Sequence, residues 1–233
     1  MKMYVAAAAV AVAFGLEFVT PAGAATLTMN LTVDNQFTVY VSSSDATLGT
    51  FVGSGNAWQT TYSFSDPLSG PVEYIHVIGV NWTSNNGLWL SPGTLNGTGD
   101  NPDGFIGTFG ISGSGYEFAN GSTTLSTNTT DWRGSPAGTP PYATIPTTWT
   151  GATGTPQSYG LNGVGPWGGV SSVSSSAEWI WSNPDNGNFA EFSTTISSVP
   201  EASTWAMLLS GFAALGFNAF HRAGKRRPAS IAG

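Results

Sequence analysis

Nucleophilic and acid–base chemistry need particular side chains held close together, and this chain supplies few of them. Between Ala25 and Ser198 the single histidine is His76, set between Ile75 and Val77 in a run that reads as a strand. A serine or threonine nucleophile needs a base at its side, and a lone histidine among apolar neighbours reads more simply as a core or sheet-face residue. The chain has no cysteine, which excludes Cys/His catalysis and thiolate metal sites. Glycoside hydrolysis needs two carboxylates about 5 to 9.5 Å apart across a cleft. Asp66, Glu73, Asp100, Asp103, Glu117, Asp131, Glu178, Asp185 and Glu191 are available for it. None lies in a catalytic motif, and most sit in turn-like stretches where Asp bonds its own backbone. The expectation is a protein that is not an enzyme, with a secreted polysaccharide-acting hydrolase as the alternative.

Binding chemistry is better supplied. In "GDNPDG", Asp100, Asn101 and Asp103 cluster around a proline and offer oxygen ligands of the kind a structural Ca²⁺ takes. The spacing is not that of an EF-hand loop, and plain Asx turns are the competing reading. In "NWTSNNGLWL", Trp82 and Trp89 flank Asn81, Asn85 and Asn86. An aromatic face beside side-chain amides suits a sugar ring, the ring supplying area and the amides direction. The competing reading is that both tryptophans close the edge of a sandwich.

Charge narrows the partners. The formal net charge is -7, and only 8% of residues are charged. Between residues 25 and 198 there is no lysine, and Arg133 is the one arginine. Such a domain repels polyanions, so no nucleic-acid partner is expected. An uncharged polar surface with many aromatics suits neutral glycans.

The elements that must position these residues are strands. "LTMNLTV" alternates Leu27, Met29, Leu31 and Val33 with Thr28, Asn30 and Thr32. Asp34-Asn35 is a turn signal, after which "FTVYV" (37–41) resumes the alternation. Further strands are expected at 58–64, 72–82, 104–111, "YEF", "STTL", 177–182 and 188–196. In the run 72–82, Val72, Tyr74, His76, Ile78 and Val80 share one face and Glu73, Ile75, Val77 and Gly79 the other, as in a central strand. Short strands separated by turns, with no helix among them, indicate an all-β antiparallel β-sandwich or jelly roll over residues 25–198. Residues 134–169 are rich in Pro and Gly and are expected as a long surface crossover rather than a paired strand.

The ends carry targeting information. Lys2, a short apolar run and Ala22/Ala24 at A-x-A spacing read as a signal peptide over residues 1–24, cut by signal peptidase after Ala24. At the other end, 205–220 is apolar except for Ser210 and Asn218. As a helix it spans roughly 24 Å, a little short of a hydrocarbon core of about 30 Å. Trp205 can sit at one interface and Arg222, Lys225, Arg226 and Arg227 at the other. The positive-inside rule then puts the tail, residues 228–233, in the cytoplasm.

Val199-Pro200-Glu201, Ser203-Thr204-Trp205, a short apolar helix and a terminal basic cluster, in that order over 199–227, closely resemble the PEP-CTERM sorting signal. Ala202 stands where that signal commonly has a second proline. The resemblance implies processing by an exosortase, a membrane protease that cuts near Pro-Glu. It also implies a temporary transmembrane anchor, and delivery to the surface or extracellular polysaccharide matrix of a Gram-negative bacterium. The body resembles galactose-binding-like jelly-roll modules more faintly, in "VDNQFTVYV", "VIGVNW", "NPDGFIGTF", "TNTTDWRGSP" and "AEWIWS". It departs from them at Ser42-Ser43-Ser44-Asp45, where an Asn-Gly loop is usual, and in the shortened Thr130-Asp131-Trp132. That resemblance implies the jelly-roll fold and leaves the family's ligand site open.

Overall fold

The computed structural model describes residues 24–81, 103–136, 145–182 and 189–199, and a C-terminal helix over 202–224 whose side chains are described at 206–217. Two antiparallel sheets pack face to face. With strands numbered in chain order, the first sheet runs β10 (Gln157–Leu161), β11 (Glu178–Trp181), β6 (Gly104–Ser112), β1 (Thr26–Asp34), β4 (Tyr62–Pro67), and β8 (Thr124–Ser126) also pairs with β6. The second runs β3 (Thr50–Gly55), β2 (Gln36–Ser42), β5 (Val72–Val80), β12 (Phe189–Ser198), β7 (Tyr116–Phe118), and β9 (Arg133–Pro136) also pairs with β12. This is a mostly β, antiparallel β-sandwich.

Alternation explains the core. Leu27, Met29, Leu31 and Val33 point inward from β1 and are fully buried, as are Ile75 and Val77 of β5 and Phe192 and Ile196 of β12. Between the sheets, Phe105 meets Trp132 edge-on at 5.1 Å and Phe192 at 5.0 Å. Trp179 and Trp181 are fully buried in the same core, and Trp167 stacks on Trp179 with ring centroids 4.2 Å apart. Such ring pairs contribute about 0.5–1.5 kcal/mol each beyond their burial.

At Asp34-Asn35 the chain turns from one sheet into the other: β1 and β2 lie in different sheets, and the Asn35 amide bonds the Val80 carbonyl at 3.0 Å. Two expectations are corrected. The strand expected at 58–64 begins only at Tyr62, because Thr60 N–H donates to Ala57 O and turns the chain first. The Pro/Gly-rich stretch 134–169 contributes two paired strands, most of β9 and all of β10. Each pairs with one named strand, β12 or β11, and among the described residues β9 is bridged besides only at Gly134, to Gly154, so missing donors are tolerated. β3 was not expected either, since "TFVGSG" has two glycines. They are needed there: a Cβ at Gly53 would lie 2.1 Å from the Phe64 ring, and one at Gly55 would lie 2.5 Å from the rings of Phe37 and Tyr62.

Helix α1 (Ala202–Gly224) follows the sandwich. Its residues 206–217 are exposed on every side, including Met207, Leu209, Phe212 and Phe217. Among the described residues no helix is long and apolar enough to cross a membrane.

The tryptophan pair dictates one glycine. A methyl group on Gly104 would stand 2.7 Å from both the Trp167 and the Trp179 rings. Neither ring can yield without unstacking the other. Gly104→Ala is therefore expected to destabilise the domain by about 1–3 kcal/mol, read as a lowered midpoint in thermal or urea unfolding.

Candidate functional site

The outer face of the second sheet carries the polar groups that the core does not use. Ile75 and Val77 point inward, so Tyr74, His76, Ile78 and Val80 point outward from β5. Opposite them on β12 stand Thr195, Ser193, Glu191 and Phe189. One end of this face is covered by two loop segments. Ile78, Val80 and Phe189 form a small apolar cluster there, packed by Tyr40, Leu48, Ile145 and Trp149.

The covering strap is pinned by a carboxylate. Glu191 is fully buried and accepts from Thr150 N at 2.9 Å, Thr150 Oγ1 at 2.7 Å and Gly151 N at 2.8 Å. Next to these bonds, Trp149 lies flat on His76 with centroids 4.0 Å apart, and its Nε1 donates to Asp45 O at 2.7 Å.

Beneath the strap, Asp45, His76 and Ser193 come together. His76 Nε2 lies 3.2 Å from Asp45 Oδ1 and Nδ1 lies 3.3 Å from Leu48 O. Ser193 Oγ donates to the same Asp45 oxygen at 2.6 Å. The residue types are those of a hydrolytic triad, but the order is not. In a triad the imidazole stands between hydroxyl and carboxylate so that it can take the hydroxyl proton. Here the carboxylate stands between, and both ring nitrogens face other acceptors. Burial holds the His76 pKa below its usual value, against the pull of Asp45. The trio ties a loop to the sheet.

Beyond the strap the same face opens into a polar cleft of about 490 Å³. Among the described residues its walls include Asp45, Tyr74, Asp131, Arg133, Ser193 and Thr195. The cleft sits where β12 changes partner, from β9 at 190–193 to β7 at 196–198. Arg133 lies opposite Ser193, and Tyr74 opposite Thr195.

The residues singled out from sequence fall elsewhere. Asn81 and Asp103 are both buried, and the Asn81 amide donates to the Asp103 carboxylate. Trp82, Asn85, Asn86, Trp89, Asp100 and Asn101 lie outside the described residues. No three His, Cys, Asp or Glu side chains among the described residues are grouped to hold a metal. A further buried carboxyl, Asp34, sits at the same end of the sandwich, opposite Gly104. It accepts from Trp167 Nε1 at 2.9 Å, and burial raises its pKa to about 7. Of the residues expected to form a sorting signal, Val199 is bonded to Gly115 O through its amide. Ser203, Thr204, Trp205 and Arg222 lie in the backbone of α1. Pro200, Glu201, Lys225, Arg226 and Arg227 are outside the described residues.

Asp45, Tyr74 and Trp149 were not singled out as site residues. The one signal was the Ser42–Asp45 segment in place of an Asn-Gly loop; nothing in the sequence pairs Trp149 with His76, 73 positions before it.

Two outcomes follow from these buried carboxyls. Glu191→Ala leaves three donors of the strap without their acceptor. It should cost about 2–4 kcal/mol and shift the Trp149 emission to the red as the strap lifts, whereas Glu191→Gln should keep most of both. Asp34 has a folded pKa above its unfolded one, so the folded state binds the extra proton. Its contribution is complete below about pH 4 and is lost as pH rises through about 7. His76 has the opposite slope, its contribution being lost as pH falls. Asp34→Asn should therefore be more stable than wild type above pH 7, by up to about 4 kcal/mol, and should lack the fall in stability that Asp34 imposes as pH rises through about 7. Urea unfolding across pH checks both. No protein-family model, curated protein or solved structure matches the chain.

Proposed function

We propose that the chain is an exported bacterial protein of the PEP-CTERM kind, sorted by an exosortase to the cell surface or the extracellular polysaccharide matrix. Its jelly-roll-like sandwich serves there as a non-catalytic, carbohydrate-binding module. The observation that carries the reading is the order of the last residues: Val199-Pro200-Glu201, Ser203-Thr204-Trp205, a short apolar helix, then Arg222, Lys225, Arg226 and Arg227. Two further features support it. The last strand ends at Ser198 and Val199 is still bonded to the sandwich, so Pro200-Glu201 lies just between domain and helix. The helix presents Met207, Leu209, Phe212 and Phe217 without protein cover, an apolar surface suited to lipid. A helix of marginal length and hydropathy fits an anchor that is kept only until cleavage. The non-catalytic reading draws on the inverted order of Ser193, Asp45 and His76.

The Pro200→Ala, Glu201→Ala double variant tests the sorting. Fractionation of cells expressing it should find the variant in the inner membrane with its C-terminal tail intact, while the wild-type protein is found at the surface. Normal release of the variant would overturn the proposal.

A further inference from the structure

We infer that the cleft between β5, β12 and β9 is a binding site for an uncharged, polyhydroxylated ligand, a neutral glycan, held by Tyr74, Asp131 and Arg133. The inference rests on the carbohydrate-binding half of the reading above and assigns it to residues other than Asn81, Trp82, Asn85, Asn86 and Trp89.

Arg133 is the first reason. It is the one cation between residues 25 and 198 in a strongly acidic chain, yet it is exposed and makes no ion pair among the described residues. A guanidinium so placed is an unused fork of N–H donors at the wall of a cleft. The second reason is the acceptors that line the same cleft. Asp131 gives one carboxylate oxygen, Oδ2, to Asn128 Nδ2 at 2.9 Å, and Asp45 gives Oδ1 to Ser193 and His76. Each keeps its other oxygen for the cleft. Ser193 and Thr195 add hydroxyl-bearing side chains to the same lining.

The third reason is rigidity. Tyr74 stacks on His76 at 6.1 Å, and His76 on Trp149 at 4.0 Å, so the half-buried tyrosine is the cleft end of a fixed aromatic column. A ring held in place before binding loses little freedom when a ligand packs on it. The fixed charges then select the ligand class. An anion meets two carboxylates and a net charge of -7; a cation, though drawn by the carboxylates, would leave the Arg133 donors unmatched and stand beside their charge. A ligand whose hydroxyls both donate and accept can use the guanidinium and the carboxylates together. The volume, about 490 Å³, falls in the range of about 300–1,000 Å³ common to small-molecule sites.

The test is calorimetric titration of the full chain in detergent micelles. The probes are short neutral gluco-, galacto- and manno-oligosaccharides, with oligogalacturonate as the anionic and chitosan oligomers as the cationic comparison. At least one neutral series should bind and the charged ones should not. Tyr74→Ala and Arg133→Ala should each weaken that binding about tenfold or more. Arg133→Lys should also weaken it, because an ammonium cannot donate as a fork. Arg133 has no protein partner among the described residues to lose, so its variants should keep the wild-type unfolding midpoint, which separates lost binding from lost folding. Neutral binding that survives both alanine variants would place the glycan elsewhere and refute the cleft while sparing the carbohydrate reading. Preference for oligogalacturonate or chitosan would refute the ligand class. No binding of any probe would overturn both.

Discussion

The outer face of the second sheet depends on one buried anion. Glu191 has no access to water, and a carboxylate in that position is tolerated only when its oxygens are fully served by donors. Thr150 and Gly151 serve them, and in doing so pin the strap beside the place where Trp149 packs on the sheet. With the strap in place, Trp149 seals His76, Ile78 and Val80 at one end. β5 is thereby covered on both faces along most of its length, which is why its sequence is apolar on both sides. Where the strap stops, the face opens, and the polar cleft begins at the edge of what Glu191 holds down.

The strand framework was legible in the sequence because alternation records burial directly. Leu27, Met29, Leu31 and Val33 face the core as their spacing implies, and β5 is central between β2 and β12 as its two apolar faces imply. Alternation does not record which strand pairs with which. The Asp34-Asn35 turn could join one sheet or bridge two, and only the tertiary structure chooses. Nor does it register short outer strands such as β9 and β10, whose prolines and glycines argue locally for loop. The cleft was least legible. Asp45, Tyr74, Asp131 and Arg133 are spread over 89 positions and meet through sheet register, the bonds of Asp45 to His76 and Ser193, and a 2.9 Å bond from Thr194 Oγ1 to Asp131 O.

The functional reading joins two independent kinds of physical evidence. The terminal segments speak through the order of short apolar and basic stretches, on which the proposed anchoring rests. The domain speaks through what its surface lacks: with no lysine and one arginine, it offers neutral ligands hydroxyls, amides and aromatic rings. Both are compatible with residence among extracellular polysaccharides, where a weakly charged acidic module stays soluble beside polyanions.

The most direct measurement of the central claim is the intact mass of the form recovered from the cell surface. The account predicts a chain that begins after Ala24 and ends near Glu201, with the helix and the basic cluster removed. A surface form whose mass still includes the residues from Trp205 through Arg227 would contradict it.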